Sequence, residues 1–189
     1  AFALEYNQTG DSNTALGYIT LHNSSGSQNT AVGARALQDM TSGDDNTAVG
    51  HHALHSNTTA SDNTAVGSNA LFANTTGTNN VAVGANALDA NTTANNNTAV
   101  GYLSLTAATT ASEATAVGTS SLASLTTGTG NTGLGVNAGS SITTGVHNTC
   151  VGRNGGSGIT TGTNNVTLGN FTINGTATGG SNSAVGYAA

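Results

Sequence analysis

The residues that most clearly could carry chemistry are asparagines in N-x-[ST] triplets, the acceptor pattern for N-linked glycans. Asn57, Asn74 and Asn91 lie 17 residues apart, so a repeating fold would align them on one face. An Asn- and Thr-rich chain also produces such triplets by chance, and a bacterial cytoplasm or a phage would leave them bare. Covalent glycans are therefore one of two interpretations. The candidates are Asn7, Asn23, Asn57, Asn74, Asn91, Asn96, Asn165, Asn170 and Asn174.

Two other groups lack the partners that chemistry would require. His51, His52 and His55 cluster once, with no acidic residue at a ligand spacing, so they are typical of a solvated turn. Cys150 needs a base to become a nucleophile, and His147 lies three residues away in a predicted turn. The sequence predicts no catalytic residue, no metal site and no cofactor, and it predicts a small packing role for Cys150.

The composition excludes several partners. Among 189 residues there are two cationic side chains, Arg35 and Arg153, and the net charge is -6. Phosphate recognition depends on Lys and Arg, so nucleic acid is not a predicted partner. No apolar stretch approaches the roughly 20 residues of a membrane span. Only 5% of residues are charged and 4% aromatic, which indicates a regular fold built from small side chains.

One five-residue tag recurs along the whole chain. The first step between tags is 16 residues and each later step is 17, which is typical of a solenoid. We number each repeat from the first residue of its tag, and call the repeats coils 1 to 11. The eleven tags begin at Asn13, Asn29, Asn46, Asn63, Asn80, Asn97, Ala114, Asn131, Asn148, Asn165 and Asn182.

Seventeen residues are too few for a helical hairpin, and the fixed Gly at position 5 argues against helices. We therefore predict a single all-β domain over 1–189, a parallel β-solenoid of about eleven coils without clear caps. Alternation predicts that positions 2 and 4 point inward against Leu at position 9, while positions 1, 3 and 5 form a flat outer face. Asn at position 1 is expected to form a side-chain ladder. The predicted core column is Val32, Val49, Val66, Val83, Val100, Val117, Leu134, Val151, Leu168 and Val185.

The tag also resembles the head repeats of trimeric autotransporter adhesins (the YadA-like head) and related repeats of phage tail fibres. The resemblance lies in the TAVG or VAVG run, best in Asn80-Val81-Ala82-Val83-Gly84, in the Ala-Leu that follows, and in the Asn/Thr/Gly turn. It covers nearly the whole chain, although the motif is short and the neck and stalk are absent. It implies a left-handed β-roll, extracellular exposure, and attachment or fibre building.

The two ends suggest a contact between copies. Ala3-Leu4 falls in register with the Ala-Leu of positions 8 and 9, and the chain stops within a later coil. The final eight residues and the first twelve make 20, one coil plus three residues. We therefore expect either a head-to-tail filament or a fragment of a longer fibre. The residues of that contact would be Ala1, Phe2, Ala3, Leu4, Val185, Gly186, Tyr187, Ala188 and Ala189.

These patterns favour a structural, non-enzymatic fibre protomer outside the cell or on a cell or virion surface. Its partner would be itself. One alternative is a trimeric host-binding adhesin or tail-fibre segment, packed through the Asn/Ala/Gly face. A second is an ice-binding protein, which the Thr-rich columns suggest. However, the paired threonines at positions 13 and 14, such as Thr58-Thr59, should point to opposite faces rather than form one hydroxyl array.

Overall fold

The computed structural model describes residues 2–7 and 9–189 and consists of one parallel sheet wound as a β-solenoid. Each strand covers positions 2 to 4 of a coil and pairs with the strand of the next coil. The predicted class, all-β with about eleven coils, is confirmed. The strands are β1 Thr14–Leu16, β2 Thr30–Val32, β3 Thr47–Val49, β4 Thr64–Val66, β5 Val81–Val83, β6 Thr98–Val100, β7 Thr115–Val117, β8 Thr132–Leu134, β9 Thr149–Val151, β10 Val166–Leu168 and β11 Ser183–Val185.

The register is the same at every step, so equivalent residues stack in straight columns. Ala48, for example, pairs with Ala31 on one side and Ala65 on the other. The shorter first coil keeps this register, because Thr14 pairs with Thr30 across only 16 residues. The turn before Gly26 therefore absorbs the missing residue.

The sheet faces the opposite way from the prediction. Position 3 is fully buried, as at Ala48 and Ala82, whereas Val66 is 36% and Leu134 47% exposed at position 4. The prediction followed hydrophobicity, but the side chains of positions 8 and 9 crowd the space behind the sheet and favour a small residue there. A Cβ placed on Gly133, at position 3, would lie 2.5 Å from Ser121 Oγ. The predicted core column is therefore wrong, since its members are half-buried or exposed: Val32, Val49, Val66, Val83, Val100, Val117, Leu134, Val151, Leu168 and Val185.

The core is a stack of leucines behind the alanines. Leu54, Leu71 and Leu88 at position 9 are fully buried, as is Ala at positions 3 and 8. In coil 9, Gly156 replaces this leucine, and Cys150 and Thr167 fill the space: a Cβ on Gly156 would lie within 3.0 Å of Thr167 Oγ1. Cys150 also lies beside Gly139, the glycine at position 9 of coil 8, because a Cβ there would be 3.3 Å from Cys150 Sγ. Cys150 thus fills space left by the glycines of two coils.

A buried asparagine ladder runs beside this core, as predicted from position 1, although it lies inside rather than on an outer face. Asn29 Oδ1 accepts hydrogen bonds from the backbone N–H of Asn46 at 2.9 Å and from its Nδ2 at 3.1 Å. Asn46 Nδ2 also donates to the Ala60 carbonyl at 2.9 Å. Each asparagine therefore satisfies a buried N–H of the next coil and a carbonyl of its own.

Three corners with positive φ close each coil, at positions 7, 9 and 17. In coil 5 they are Asn86, Leu88 and Asn96, with φ of 53°, 54° and 61°. Glycine at position 5 has a more extreme conformation, with φ of 137° at Gly84, which is nearly exclusive to glycine. This explains why position 5 never varies.

Candidate functional site: the outward face of the sheet

The most distinctive surface is the outward face, formed by positions 2 and 4 of all eleven coils. It carries Thr, Ser or Val at position 2 and Val or Leu at position 4, and no charged residue. Leu16 and Val185 are each 67% exposed, and Leu168 is 48% exposed. The sequence analysis had predicted that the side chains at positions 2 and 4 point into the core. The outward threonines are Thr14, Thr30, Thr47, Thr64, Thr98, Thr115, Thr132 and Thr149.

The residues of the outward face are nearly constant from coil to coil. The exposed position 6 has diverged, since it holds Tyr18, His51, Tyr102, Val136 and Arg153 in different coils, whereas the exposed position 14 is threonine in most coils. Positions 2 and 4 have not diverged, although they too are solvent-exposed. Burial within the coil does not explain that constancy.

The predicted column of glycosylated asparagines is wrong. Asn57, Asn74 and Asn91 are fully buried, and Asn165 is buried as well. Asn74 Nδ2 donates to Asn57 Oδ1 at 2.9 Å and to the Gly77 carbonyl at 2.9 Å. A glycan on Nδ2 would break this ladder and has no space in the core. Where coil 6 has Ala108 at the same position, Asn91 Oδ1 is left buried without a partner.

The other candidate asparagines do not align. Asn23, Asn96, Asn170 and Asn174 are exposed, at positions 11, 17, 6 and 10 of their coils. Asn7 is half-buried, and its side chain bonds to both the amide and the carbonyl of Gly10. Glycosylation at these five residues stays a prediction.

The paired threonines behave as expected. At position 13 the hydroxyl turns to the next coil, so that Thr75 Oγ1 donates to the Thr92 carbonyl at 2.9 Å. At position 14 the side chain is exposed, as at Thr59 and Thr76. The two columns therefore do not form one hydroxyl array.

The histidine cluster is a surface corner rather than a metal site. The His51 and His52 rings stack with centroids 3.8 Å apart, and His55 stacks on Phe72 at 5.1 Å. His55 Nδ1 lies 3.4 Å from Asp39 Oδ2. Within residues 2–7 and 9–189, no three His, Cys, Asp or Glu side chains are arranged to hold a metal ion.

Acidic residues at the turns have structural partners. Asp44 Oδ1 accepts a hydrogen bond from the Ser27 backbone N–H at 2.7 Å. Ser61 Oγ accepts from the Asp44 N–H at 3.0 Å in the same way. Position 16 thus supplies a short acceptor side chain to the coil before it, and serine or asparagine can replace aspartate there.

Cys150 is a packing residue, as predicted. It is fully buried at position 3 of coil 9. Burial raises the pKa of its thiol, and a hydrogen bond with Thr167 only partly opposes that effect. The thiol therefore stays protonated and is a poor nucleophile.

The residues assigned to an end-to-end contact are placed in register with the coils. The Leu4 N–H donates to the Thr20 carbonyl at 3.2 Å, as position 9 does elsewhere, and the Ile173 N–H donates to the Ala189 carbonyl at 2.8 Å. Phe2 and Tyr187 are 46% and 77% exposed. Ala1 lies outside the described residues. The contact itself, with Ala3, Val185, Gly186 and Ala188, stays a prediction.

In the described part of the chain, no helix is long and apolar enough to cross a membrane. The chain matches no family model, no curated protein and no solved structure. The class of the protein therefore rests on its fold, which is that of a parallel β-solenoid repeat protein.

Proposed function

We propose that this solenoid is a structural, non-enzymatic repeat segment of an extracellular fibre, and that its copies associate side by side through the outward face. The observation that carries the proposal is the outward column of Val and Leu at position 4, half-buried or exposed in every coil, unbroken over eleven coils and free of charge. Exposed apolar patches beyond a few hundred Å² mark interaction sites. The buried, protonated Cys150 supports the non-enzymatic part.

The size of the face is consistent with association. Ten steps of about 4.8 Å give a length of roughly 48 Å, and positions 2 and 4 lie about 6.6 Å apart. With side-chain widths included, the two columns cover roughly 500 Å², below the roughly 800 Å² per partner of a standard interface. Neighbouring side chains at position 6 would enlarge it: Tyr18 and Tyr102 are each 52% exposed, and Val136 is 44% exposed.

The variable residues at position 6 also affect the register in which two copies would align. Identical columns would pair equally well after a shift of one coil, because every coil offers the same Thr and Val. Tyr18, Tyr102 and Tyr187 interrupt that equivalence at position 6, with smaller residues such as Ala85 between them. They would favour one register over its neighbours.

Sedimentation velocity and light scattering of the 189-residue chain test the association. We expect a discrete oligomer or a filament, and the double variant Val83→Asp/Val100→Asp should weaken association at least tenfold, because two carboxylates would be desolvated in the interface. Thr93→Asp, exposed at position 14, is the matched control and should associate like the wild type. A wild-type monomer at high concentration would contradict the proposal.

The same experiment addresses the adhesin alternative. A mass of three chains would favour a trimeric adhesin or tail-fibre segment. The Asn/Ala/Gly face predicted for that trimer is not accessible, since Asn80 and Ala82 are fully buried. A trimer would have to use the outward face instead. Surface labelling of intact source cells would test the extracellular location.

The outward face also favours a second candidate, an ice-binding protein. Its threonine hydroxyls at position 2 and methyl groups at position 4 form a regular grid, which the paired threonines of positions 13 and 14 do not. Ice binding requires this face to be bare. Thermal hysteresis from a monomer, lost in Thr98→Asp and retained in Thr93→Asp, would favour it over the fibre.

A further inference from the structure

A corner that joins coils 3 and 4 contains an unusual continuous stack of rings. His51 lies on His52, and His52 meets the edge of His55 at 5.0 Å with an interplanar angle of 73°. His55 then stacks on Phe72 of coil 4, and His52 is 5.8 Å from the same ring. The three imidazoles and Phe72 therefore pack as one cluster.

This corner is also part of the backbone pairing between coils. The His52 N–H donates to the Ala34 carbonyl at 3.0 Å, and the Asn69 N–H donates to the His51 carbonyl at 2.9 Å. The backbone that carries the rings is therefore hydrogen-bonded to the coils on both sides.

The charges around the cluster oppose protonation of its centre. His51 and His55 face His52 from its own coil, and Arg35 faces it from coil 2. Asp39 of coil 2 lies beside His55, and Asp89 of coil 5 shares a cavity of about 190 Å³ with His52. The carboxylate nearest to the cluster is thus placed to support His55.

The local environment of His52 agrees with this arrangement. Its Nε2 is buried without a hydrogen-bond partner. Burial, then His51, His55 and Arg35, lower its pKa below the ordinary value of 6.5, and the nearby Asn69 side chain only partly opposes them. Because the unfolded corner binds protons more readily than the folded one, stability decreases as the pH falls below 6.5 and through the folded pKa.

We propose that the cluster of His51, His52, His55 and Phe72 is an acid-sensitive contact. It holds the corner of coils 3 and 4 closed while the imidazoles are neutral and opens when they are protonated, which exposes Phe72. Two stacked imidazolium ions beside Arg35 would repel one another, and Asp39 can compensate only His55 directly. The solenoid would thus loosen at one defined place rather than along its whole length.

Hydrogen exchange with mass spectrometry tests the proposal on the intact chain. Protection of residues 46–62 is compared with that of 97–113 at about pH 7.5 and about pH 5, each relative to the unfolded chain, a range that spans the ordinary histidine pKa. We expect a several-fold loss of protection at the lower pH in 46–62 only. Equal protection at both pH values would overturn the proposal.

The repeats supply matched variants. His51→Ser with His52→Asn installs the residues that coil 4 has at the same positions, Ser68 and Asn69, so it should fold and lose the pH dependence. His147→Asn copies Asn164 at position 17 and should retain the pH dependence. Retention in the double variant would overturn the proposal.

A second readout needs no variant. In an NMR titration of the wild type, His52 should titrate below its ordinary pKa of 6.5. Titration of His52 at or above that pKa would contradict the proposal.

Discussion

Asparagine at position 1 connects each coil to the next, and Ala114 is the position where one is missing. The Ala114 N–H still donates to Asn97 Oδ1 at 2.9 Å, but alanine offers no acceptor to coil 8. Asn131 bonds through Nδ2 to Thr129 and Gly145, whereas no acceptor within the described residues takes its backbone N–H. The residue at position 1 thus decides whether the first backbone N–H of the next coil has a hydrogen-bond acceptor.

Ala114→Asn should therefore stabilise the protein. The new Oδ1 would accept from Asn131, and the new Nδ2 would donate to Asn97 Oδ1 and to the Gly128 carbonyl. Satisfying a buried donor is worth about 1–3 kcal/mol. Urea unfolding measures the change, with Thr93→Asn on the exposed surface expected to stay within about 0.5 kcal/mol. A destabilised Ala114→Asn protein would mean that the ladder cannot be repaired in this way.

At this scale the sequence predicted the asparagine ladder and the packing role of Cys150, but it placed the face of each strand wrongly. Alternation shows that positions 2 and 4 share a side without showing which side is inside. The informative signal was compensation: Gly156 replaces leucine in the same coil where Cys150 replaces alanine. That exchange of volume in coil 9 pointed to position 3 as a core position, but coil 8 does not repeat it, since Gly133 and Gly139 are both glycine.

The strands could be predicted more fully than the corners that join them. Strand positions and their period follow from the tag, because each coil pairs in register with the next. The corners could not be placed as well, since Leu at position 9 and Glu113 at position 17 adopt positive φ despite their side chains. Stacking on neighbouring coils overrides the local preference there.

A comparison of Gly84 with Gly77 distinguishes the effect of backbone conformation from that of steric crowding. A Cβ on Gly84 would lie 2.5 Å from the Gly101 carbonyl oxygen, in a conformation with φ of 137°. A Cβ on Gly77 would also meet the carbonyl of the next coil, yet Ala60, Ala94 and Ala111 occupy the equivalent position 15. We expect Gly84→Ala to cost about 2–4 kcal/mol in urea unfolding and Gly77→Ala less than about 1 kcal/mol. Equal costs would show that crowding alone explains position 5.

The molecule as a whole is a stack of nearly interchangeable units. Each coil contacts its two neighbours, so its stability is approximately a sum of coil and interface contributions. The period, the single sheet and its parallel pairing were all predictable from the repeat. The outward face was not, because the spacing of the tags is the same whichever side of the strand is buried.

Deleting a whole coil should leave the fold intact. Without residues 80–96, Asn63 and Asn97 become neighbours in the ladder, and β4 meets β6 in the same register. We expect a folded chain by circular dichroism, with a denaturant m-value lower by about a tenth because less surface is buried. Deletion of 80–88 alone leaves a segment too short to complete a coil and should disrupt the stack. Similar behaviour of the two deletions would contradict the additive description.

The unvarying register also bears on how such a chain changes length over generations. Recombination between the coding sequences of any two tags that are 17 codons apart removes or duplicates one complete coil, in the correct reading frame. The product is another solenoid whose outward face continues without a break. Rod length can therefore vary by single coils in a population while every intermediate still folds.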